Sequence, residues 1–169
     1  IDQFEELFTL CTDDSVRQRF IAGLVDAGVR GFKCFLTPSG VDEFPAVRES
    51  DLRRALPVLA AAAGRSRPLL VHAEDPEALR AHEGDVRAYH AYLATRPAEA
   101  EVRAVRLVAA LTTDYDVATH IVHLSSAEGV AAVGMAAAAG VRMTAETCPH
   151  YLTFTAPDVP DGATAFKCA

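Results

Sequence analysis

The sequence predicts an α/β fold in which parallel strands alternate with helices. Short stretches rich in β-branched and aromatic residues alternate four times with longer stretches in which apolar residues recur at helical spacing. The strands are apolar along most of their length, which is typical of strands covered on both faces of a parallel sheet. With 169 residues, 50% of them hydrophobic, the chain can bury one substantial core. We therefore predict a single globular unit.

The first helix is predicted over residues 13–27, where apolar positions recur between acidic residues suited to a first turn and Gly28, which ends the pattern. Residues 29–36 are short and rich in aromatic residues, and the turn-forming segment 37–40 closes them, which indicates a strand. The same alternation then repeats three times. It predicts helices at about 49–63, 98–111 and 127–139, and strands at 68–73, 118–124 and 141–146.

Two architectures fit this repeat, an open doubly wound sheet and a closed eight-stranded barrel. No Gly-x-Gly-x-x-Gly fingerprint follows any strand, so the dinucleotide-binding version of the open sheet loses its main support. The connection at residues 74–97 is long and carries His82, Tyr89, His90 and Tyr92. We expect it to carry function, because long loops at strand ends usually do so in such folds.

The two ends of the sequence indicate a piece of a larger domain. The chain starts at Ile1 without a methionine, and Ala165-Phe-Lys-Cys168 has the pattern of an opening strand. We therefore expect residues 1–169 to be a single partial barrel domain, truncated at both ends. Half a barrel leaves two sheet edges open, so we predict that this fragment alone is inactive and poorly soluble.

Composition and charge exclude several classes of protein. The net charge of −7 is spread through helical stretches, and no basic patch is available to bind nucleic acid. Neither a signal peptide nor an apolar run of about 18 residues is present, so we expect no membrane segment. The cysteines lack Cys-x-x-Cys pairs, which favours reduced thiols in a cytoplasmic protein. They are Cys11, Cys34, Cys148 and Cys168.

Three predicted strands each contain one ionisable residue near the carboxyl end: Lys33, His72 and His123. Alternation would turn these side chains inward, and in barrel enzymes this end of the sheet holds the active site. Each is separated from the next by one crossover, which places them on adjacent strands. His120 precedes His123 by three residues, so we expect the two histidines on opposite faces and assign His120 a structural or surface role.

Taken singly, each residue has an ordinary explanation. A lone strand histidine is more often a hydrogen-bonded core residue than a ligand, and a lone lysine more often extends to solvent. Three on neighbouring strands are harder to explain in this way, because burying an unpaired amine is costly and favours its neutral form. A neutral amine can add carbon dioxide to form a carbamate, which can bridge two cations, while imidazoles are typical zinc ligands.

Several segments, in order along the chain, resemble the cyclic amidohydrolases of the metal-dependent amidohydrolase superfamily. They are Gly31-Phe-Lys-Cys-Phe-Leu36, Ser39-Gly-Val-Asp-Glu-Phe-Pro45, Val71-His-Ala-Glu74, His120-Ile-Val-His-Leu-Ser-Ser126, Glu146-Thr-Cys-Pro-His-Tyr-Leu152 and Asp161-Gly-Ala-Thr-Ala-Phe-Lys-Cys-Ala169. Together they cover nearly the whole chain. The resemblance implies a TIM-type (β/α)₈ barrel, of which strands four to seven with their helices are present here.

The resemblance also implies a binuclear site. Lys33 would be the carboxylated lysine that bridges two divalent metal ions, expected to be zinc, and His72 and His123 would bind one of them. The family's His-x-His pair and its catalytic aspartate have no counterpart, so no catalytic residue beyond the metal site is expected in this chain. The remaining histidines do not match the family's ligand positions: His82, His90, His120 and His150.

The implied activity is metal-dependent hydrolysis of a small cyclic amide or ureide, in a full-length protein expected to form homo-oligomers. Related hydantoin- and dihydropyrimidine-hydrolysing enzymes place a tyrosine shortly after the bridging lysine, whereas Leu36-Thr-Pro-Ser39 stands here, which favours another branch of the family. Dihydroorotases share the same ligands and remain an alternative. A second alternative is a non-catalytic scaffold, although a scaffold has no need to keep Lys33, His72 and His123 together.

Overall fold

The computed structural model describes residues 11–42, 44–63 and 67–166. The strands are β1 (Phe32–Phe35), β2 (Leu69–His72), β3 (Thr119–Ile121) and β4 (Met143–Ala145). The helices are α1 (Asp14–Asp26), α2 (Glu49–Ala63), α3 (Tyr89–Ala94), α4 (Ala98–Tyr115) and α5 (Ala127–Ala138). The four strands form one parallel sheet in the order β1-β2-β3-β4, so each strand lies beside its neighbours in sequence. The predicted parallel α/β arrangement is confirmed.

The sheet has one covered face and one more open face. Alternate strand residues join the helices in one hydrophobic core: Phe32, Cys34, Leu69, Val71, Ile121 and Met143. A hydrogen bond of 2.7 Å between the hydroxyls of Thr112 and Thr119 ties α4 to β3 on this face. On the other face, Leu70 and His120 are only half-buried. Within the described residues the helices therefore cover one face of the sheet only.

Helix α1 begins and ends where its sequence predicts. The carboxylate of Asp13 accepts hydrogen bonds from the backbone N–H groups of Ser15, at 2.8 Å, and Val16, at 3.3 Å, which satisfies amides that the first turn leaves unpaired. Hydrogen bonds from Ser15 and Val16 also hold the pKa of Asp13 below its ordinary value. At the other end Gly28 has a φ of 94°, a conformation that glycine adopts without strain.

The long connection at residues 74–97 contains the helix α3, which the sequence did not predict. The backbone N–H of Tyr89 at its start donates to the carboxylate of Asp161 at 2.9 Å, 72 residues further along the chain. Because this contact comes from so far away in sequence, the local pattern carries no capping signal. Helix α4 also runs four residues beyond its predicted end, to Tyr115, since Leu111 and Thr112 remain in the buried layer.

The strand expected to open at residues 165–168 is not formed within the described residues. Thr164–Phe166 is a 3₁₀ turn, and the remainder of the predicted strand lies outside the described part of the chain. The ring of Phe166 packs on Phe154 with a centroid separation of 5.3 Å, and the Gly162 N–H donates to the Arg87 carbonyl at 2.7 Å. The hydrogen bond to Arg87 holds the segment against the 74–97 connection, and the ring contact holds it against the chain that follows the 3₁₀ turn Pro149–Leu152.

Helix α5 is rich in alanine and exposes Val130 and Met135. It has 12 residues, whereas a bilayer requires about 20. None of the helices within the described ranges combines the length and the apolar character needed to cross a membrane.

Close packing at Gly31 offers a test of the fold in the intact protein. A Cβ at Gly31 would lie 2.9 Å from both the Leu70 side chain and the Pro68 carbonyl oxygen. We predict that Gly31→Ala lowers the free energy of unfolding by about 1–3 kcal/mol. Gly134→Ala, where the new Cβ meets no described atom within 4 Å beyond its own helix, should raise it by about 0.5–1 kcal/mol. Urea unfolding measures both, and equal effects would contradict the described packing.

Candidate metal centre

His72 and His123 meet at the carboxyl end of the sheet. Nδ1 of His72 lies 3.0 Å from Nε2 of His123, and the two rings meet edge to face with centroids 4.6 Å apart. His72 is the last residue of β2 and is 9% exposed. Two nitrogens bound to one tetrahedral zinc ion at about 2.0–2.1 Å lie roughly 3.3 Å apart. The pair is therefore close to the spacing of two ligands on one ion.

His123 reaches this position by leaving the strand. Strand β3 ends at Ile121, and His123 has a φ of 44°, in the left-handed region that non-glycine residues rarely adopt. His120 pairs with Leu70, which also pairs with Lys33, so His120 shares the open face with Lys33. His123 does face His72 as predicted, but through the left-handed turn at residue 123 and not through strand alternation. The prediction that His120 lies on the opposite face is wrong, because the backbone does not stay extended as far as His123.

His120 joins two strands beside the histidine pair. Its Nδ1 lies 2.8 Å from the hydroxyl of Thr144 on β4, and its Nε2 lies 3.6 Å from the Glu146 carboxylate. The ring therefore ties β3 to β4, a structural contact.

Lys33 lies on the same face as His72, but deeper in the sheet. Phe35 pairs with His72 in the register of β1 and β2. The backbone of Lys33 therefore lies two residues before the position on β1 that is level with His72. Its Nζ lies 4.8 Å from the centroid of the Phe35 ring, and that ring lies 5.2 Å from the ring of His72. The long stem of the lysine therefore passes Phe35 on the side of the sheet that carries the histidines.

His123 is in a state suited to binding a cation. Burial lowers the pKa of His123 below its ordinary value of 6.5, and the neighbouring charges of His72 and Lys33 lower it further. The ring of His123 is thus neutral at pH 7, and a neutral imidazole is the form that binds metals.

Glu74 and Arg96 orient His72 from its other side. Nε2 of His72 lies 3.4 Å from the Glu74 carboxylate, which also forms an ion pair with Arg96. Burial raises the pKa of Glu74, but hydrogen bonds from His72 and Arg96 outweigh it, so the pKa is lowered and the carboxylate stays charged. An Nε2–H donated to Glu74 leaves Nδ1 of His72 with its lone pair facing His123.

Sequence reasoning missed both of these residues. Glu74 stands two positions after His72, so continued alternation would have placed it on the same side. Arg96 is 22 residues from Glu74 and has no local signal.

A cavity of about 290 Å³ opens beside the pair. Its walls include His72, Glu74, Tyr92, Arg96, His123 and Tyr151. The long connection at residues 74–97, which we expected to carry function, supplies much of this wall. The 3₁₀ turn Pro149–Leu152 supplies Tyr151, so the segment of Cys148 and its neighbours also reaches the cavity.

The donor set consists of two imidazoles and one amine. Within residues 11–42, 44–63 and 67–166, no three His, Cys, Asp or Glu side chains converge as a metal site. The histidine nitrogens fit one ion, whereas a protonated amine binds none. Participation of Lys33 therefore requires its carbamate, whose oxygens are good ligands for a divalent cation.

Comparison with known proteins shows similarity over most of the chain. It is 48% identical over 147 residues to an allantoinase of Streptomyces avermitilis, and 47% identical over 146 residues to a mitochondrial allantoinase of Aquarana catesbeiana. Each match covers 86% of this chain. It covers 32% of the length of the Streptomyces protein and 30% of the length of the Aquarana protein. The chain therefore spans about a third of the length of the relatives it matches. A scan against models of protein families found no match.

Among solved structures, the L-hydantoinase (dihydropyrimidinase) from Arthrobacter aurescens matches with a TM-score of 0.75 and 26% identity. The match covers 83% of this chain and 32% of that chain. These similarities confirm the resemblance to the cyclic amidohydrolases, and they decide for part of a barrel over an open doubly wound sheet.

The lowered pKa of His123 predicts how stability depends on pH. Because the folded state holds this pKa below the unfolded value of about 6.5, the unfolded chain takes up a proton first, and stability is lost as the pH falls. The melting temperature of the metal-free protein should therefore decline below about pH 6.5, and His123→Gln should reduce that decline. The exposed His82, changed to Gln, is the matched control. Equal declines in both variants would contradict the assignment.

Proposed function

We propose that this chain, similar in sequence to allantoinases and in fold to hydantoinases, is the part of a cyclic amidohydrolase that holds half of a binuclear metal site. The whole protein would hydrolyse allantoin to allantoate by breaking a ring C–N bond, a step in purine breakdown. The observation that supports this best is the contact of 3.0 Å between the ring nitrogens of His72 and His123 at the carboxyl end of a parallel sheet.

Each candidate ligand has a distinct role in this proposal. Nδ1 of His72 and Nε2 of His123 would hold one divalent ion, expected to be zinc. The amine of Lys33 would add carbon dioxide and release a proton to become a carbamate, whose oxygens would be ligands for the metal. Divalent ions held there would supply Lewis acidity, which activates water at neutral pH and polarises a carbonyl group.

The other residues around the cavity orient ligands and limit water. Glu74 and Arg96 keep the ring of His72 in one tautomer, and Tyr92 and Tyr151 wall the cavity. A cavity of about 290 Å³ suits a small, polar ring. We assign proton transfer to the leaving nitrogen to the aspartate that the family resemblance implies, which has no counterpart here. This chain alone is therefore expected to be inactive.

The ring substrate is the main alternative within the same chemistry. Hydantoinases, dihydropyrimidinases and dihydroorotases would use the same lysine and histidines. Leu36-Thr-Pro-Ser39, in place of an early tyrosine after Lys33, favours allantoin. A cytoplasmic location and a homo-oligomeric state of the full-length protein belong to this proposal.

Replacing Lys33 tests the metal centre and the activity together. We predict that the intact wild-type protein binds about two zinc-class ions per chain and converts allantoin to allantoate. Lys33→Ala should abolish turnover and the binuclear metal content, because the bridging group is removed. Metal analysis by mass spectrometry and an allantoate assay measure both, with His82→Ala, at an exposed position, as the matched control.

The outcomes of this experiment separate the alternatives. If the wild-type protein binds metal and does not hydrolyse allantoin, but hydrolyses hydantoin, dihydrouracil or dihydroorotate, that ring would be assigned as the substrate instead of allantoin. Absence of metal from the wild-type protein would contradict the proposal and favour a scaffold. Full activity of Lys33→Ala would remove the bridging role of the lysine.

A further inference from the structure

Glu101, in the first turn of α4, binds the loop between β3 and α5. One carboxylate oxygen accepts the backbone N–H of Ser125 at 2.8 Å and its hydroxyl at 3.0 Å. The other accepts the backbone N–H of Ser126 at 2.8 Å and also the Ser126 hydroxyl. One half-buried side chain thus receives four hydrogen bonds from two consecutive residues, and bonds to a charged acceptor are stronger than neutral ones.

Helix α5 closes over this carboxylate. The Ser126 hydroxyl caps the helix by accepting the backbone N–H of Gly129 at 2.9 Å. A Cβ at Gly129 would lie 2.5 Å from a carboxylate oxygen of Glu101 and 2.9 Å from the Ser126 hydroxyl. Only glycine permits this approach without displacement. The amino end of α5 therefore lies against the negative charge of Glu101, an arrangement that the helix dipole favours.

The bound loop begins two residues after His123. The left-handed backbone of His123 is a conformation that persists only where the surroundings enforce it. On the strand side, the Val122 N–H donates to the Val71 carbonyl at 3.2 Å, and the Leu124 N–H donates to the Glu146 carbonyl at 2.7 Å. On the helix side, the hydrogen bonds of Glu101 to Ser125 and Ser126 restrain the turn. Glu101 also lines the cavity beside the histidine pair.

We propose that Glu101 is a positioning residue for the metal centre. Its hydrogen bonds to Ser125 and Ser126 fix the turn so that Nε2 of His123 faces Nδ1 of His72. The metal-binding consequence rests on the proposed function, but the contact between the two rings does not require a metal. Glu101 itself touches neither the ion nor the substrate in this proposal.

The test uses ¹⁵N chemical shifts of the histidine rings in the intact, metal-free protein, with signals assigned by single His→Gln variants. Glu101→Ala should shift the signals of both His72 and His123, because their contact of 3.0 Å is lost. Glu101→Gln keeps one acceptor oxygen and should give a smaller change. Zinc affinity, measured by competition with a chelator, should fall about tenfold or more in Glu101→Ala.

Two controls separate positioning from loss of stability. Glu99→Ala changes an exposed carboxylate in the same helical turn and should leave the ring signals unchanged. Val108→Ala removes buried methyl groups from the same helix and should lower the melting temperature while leaving the ring signals unchanged.

Unchanged ring signals in folded Glu101→Ala would overturn the inference, as would equal shifts in Val108→Ala. If Glu101→Ala does not fold, Glu101→Gln decides by the same signals. Unchanged zinc affinity beside shifted signals would also overturn a role in positioning the ligand. A wild-type protein without zinc affinity would refute the proposed function, and the ring signals would still decide the role of Glu101.

Discussion

The parallel register of β1, β2 and β3 determines where the functional side chains lie. Phe35 pairs with His72, and Lys33 and His120 both pair with Leu70, so the three strands bring their carboxyl ends to one edge. A shift of one residue would turn the open-face side chains into the helical layer. The register in turn depends on the buried layer beneath, where Val71 and Cys34 are fully excluded from solvent. The covered face thus fixes the geometry of the open one.

The polar groups around His72 are tolerated because each has a partner. His72 is almost fully buried, and both of its ring nitrogens lie near another polar side chain, His123 on one side and Glu74 on the other. Arg96 compensates the charge of Glu74. Removing one member of such a set leaves the next with an unsatisfied charge or hydrogen bond, which costs more than the net gain of the intact pair. The site is therefore a connected unit, and substitutions within it will not be additive.

The sequence could predict the elements better than the contacts between them. The periodicity of apolar residues located α1 within one residue at each end, because its cap, Asp13, and its terminating Gly28 are local. Alternation placed Lys33 and His72 on one face. Alternation also selected His123, but this residue reaches the site through the left-handed turn after β3. The apolar sequence around it gives no sign of that turn. Arg96, Glu101 and the cap of α3 by Asp161 act over long sequence separations, and no local pattern reveals them.

In the proposed site, the metal ligands lie at the ends of strands, whereas part of the wall that would contact the substrate lies in the segments that follow them. The candidate ligands lie on the strands or directly after them, where hydrogen bonding of the sheet limits movement. Part of the cavity wall comes from α3 and from the 3₁₀ turn with Tyr151, which lie outside the sheet, and Asp161 holds the start of α3. Changes in those segments can alter which ring fits without moving the histidines. Under the proposed function, such a site would keep one hydrolytic mechanism while its ring specificity changed, in line with the similarity of this chain to allantoinases in sequence and to a hydantoinase in fold.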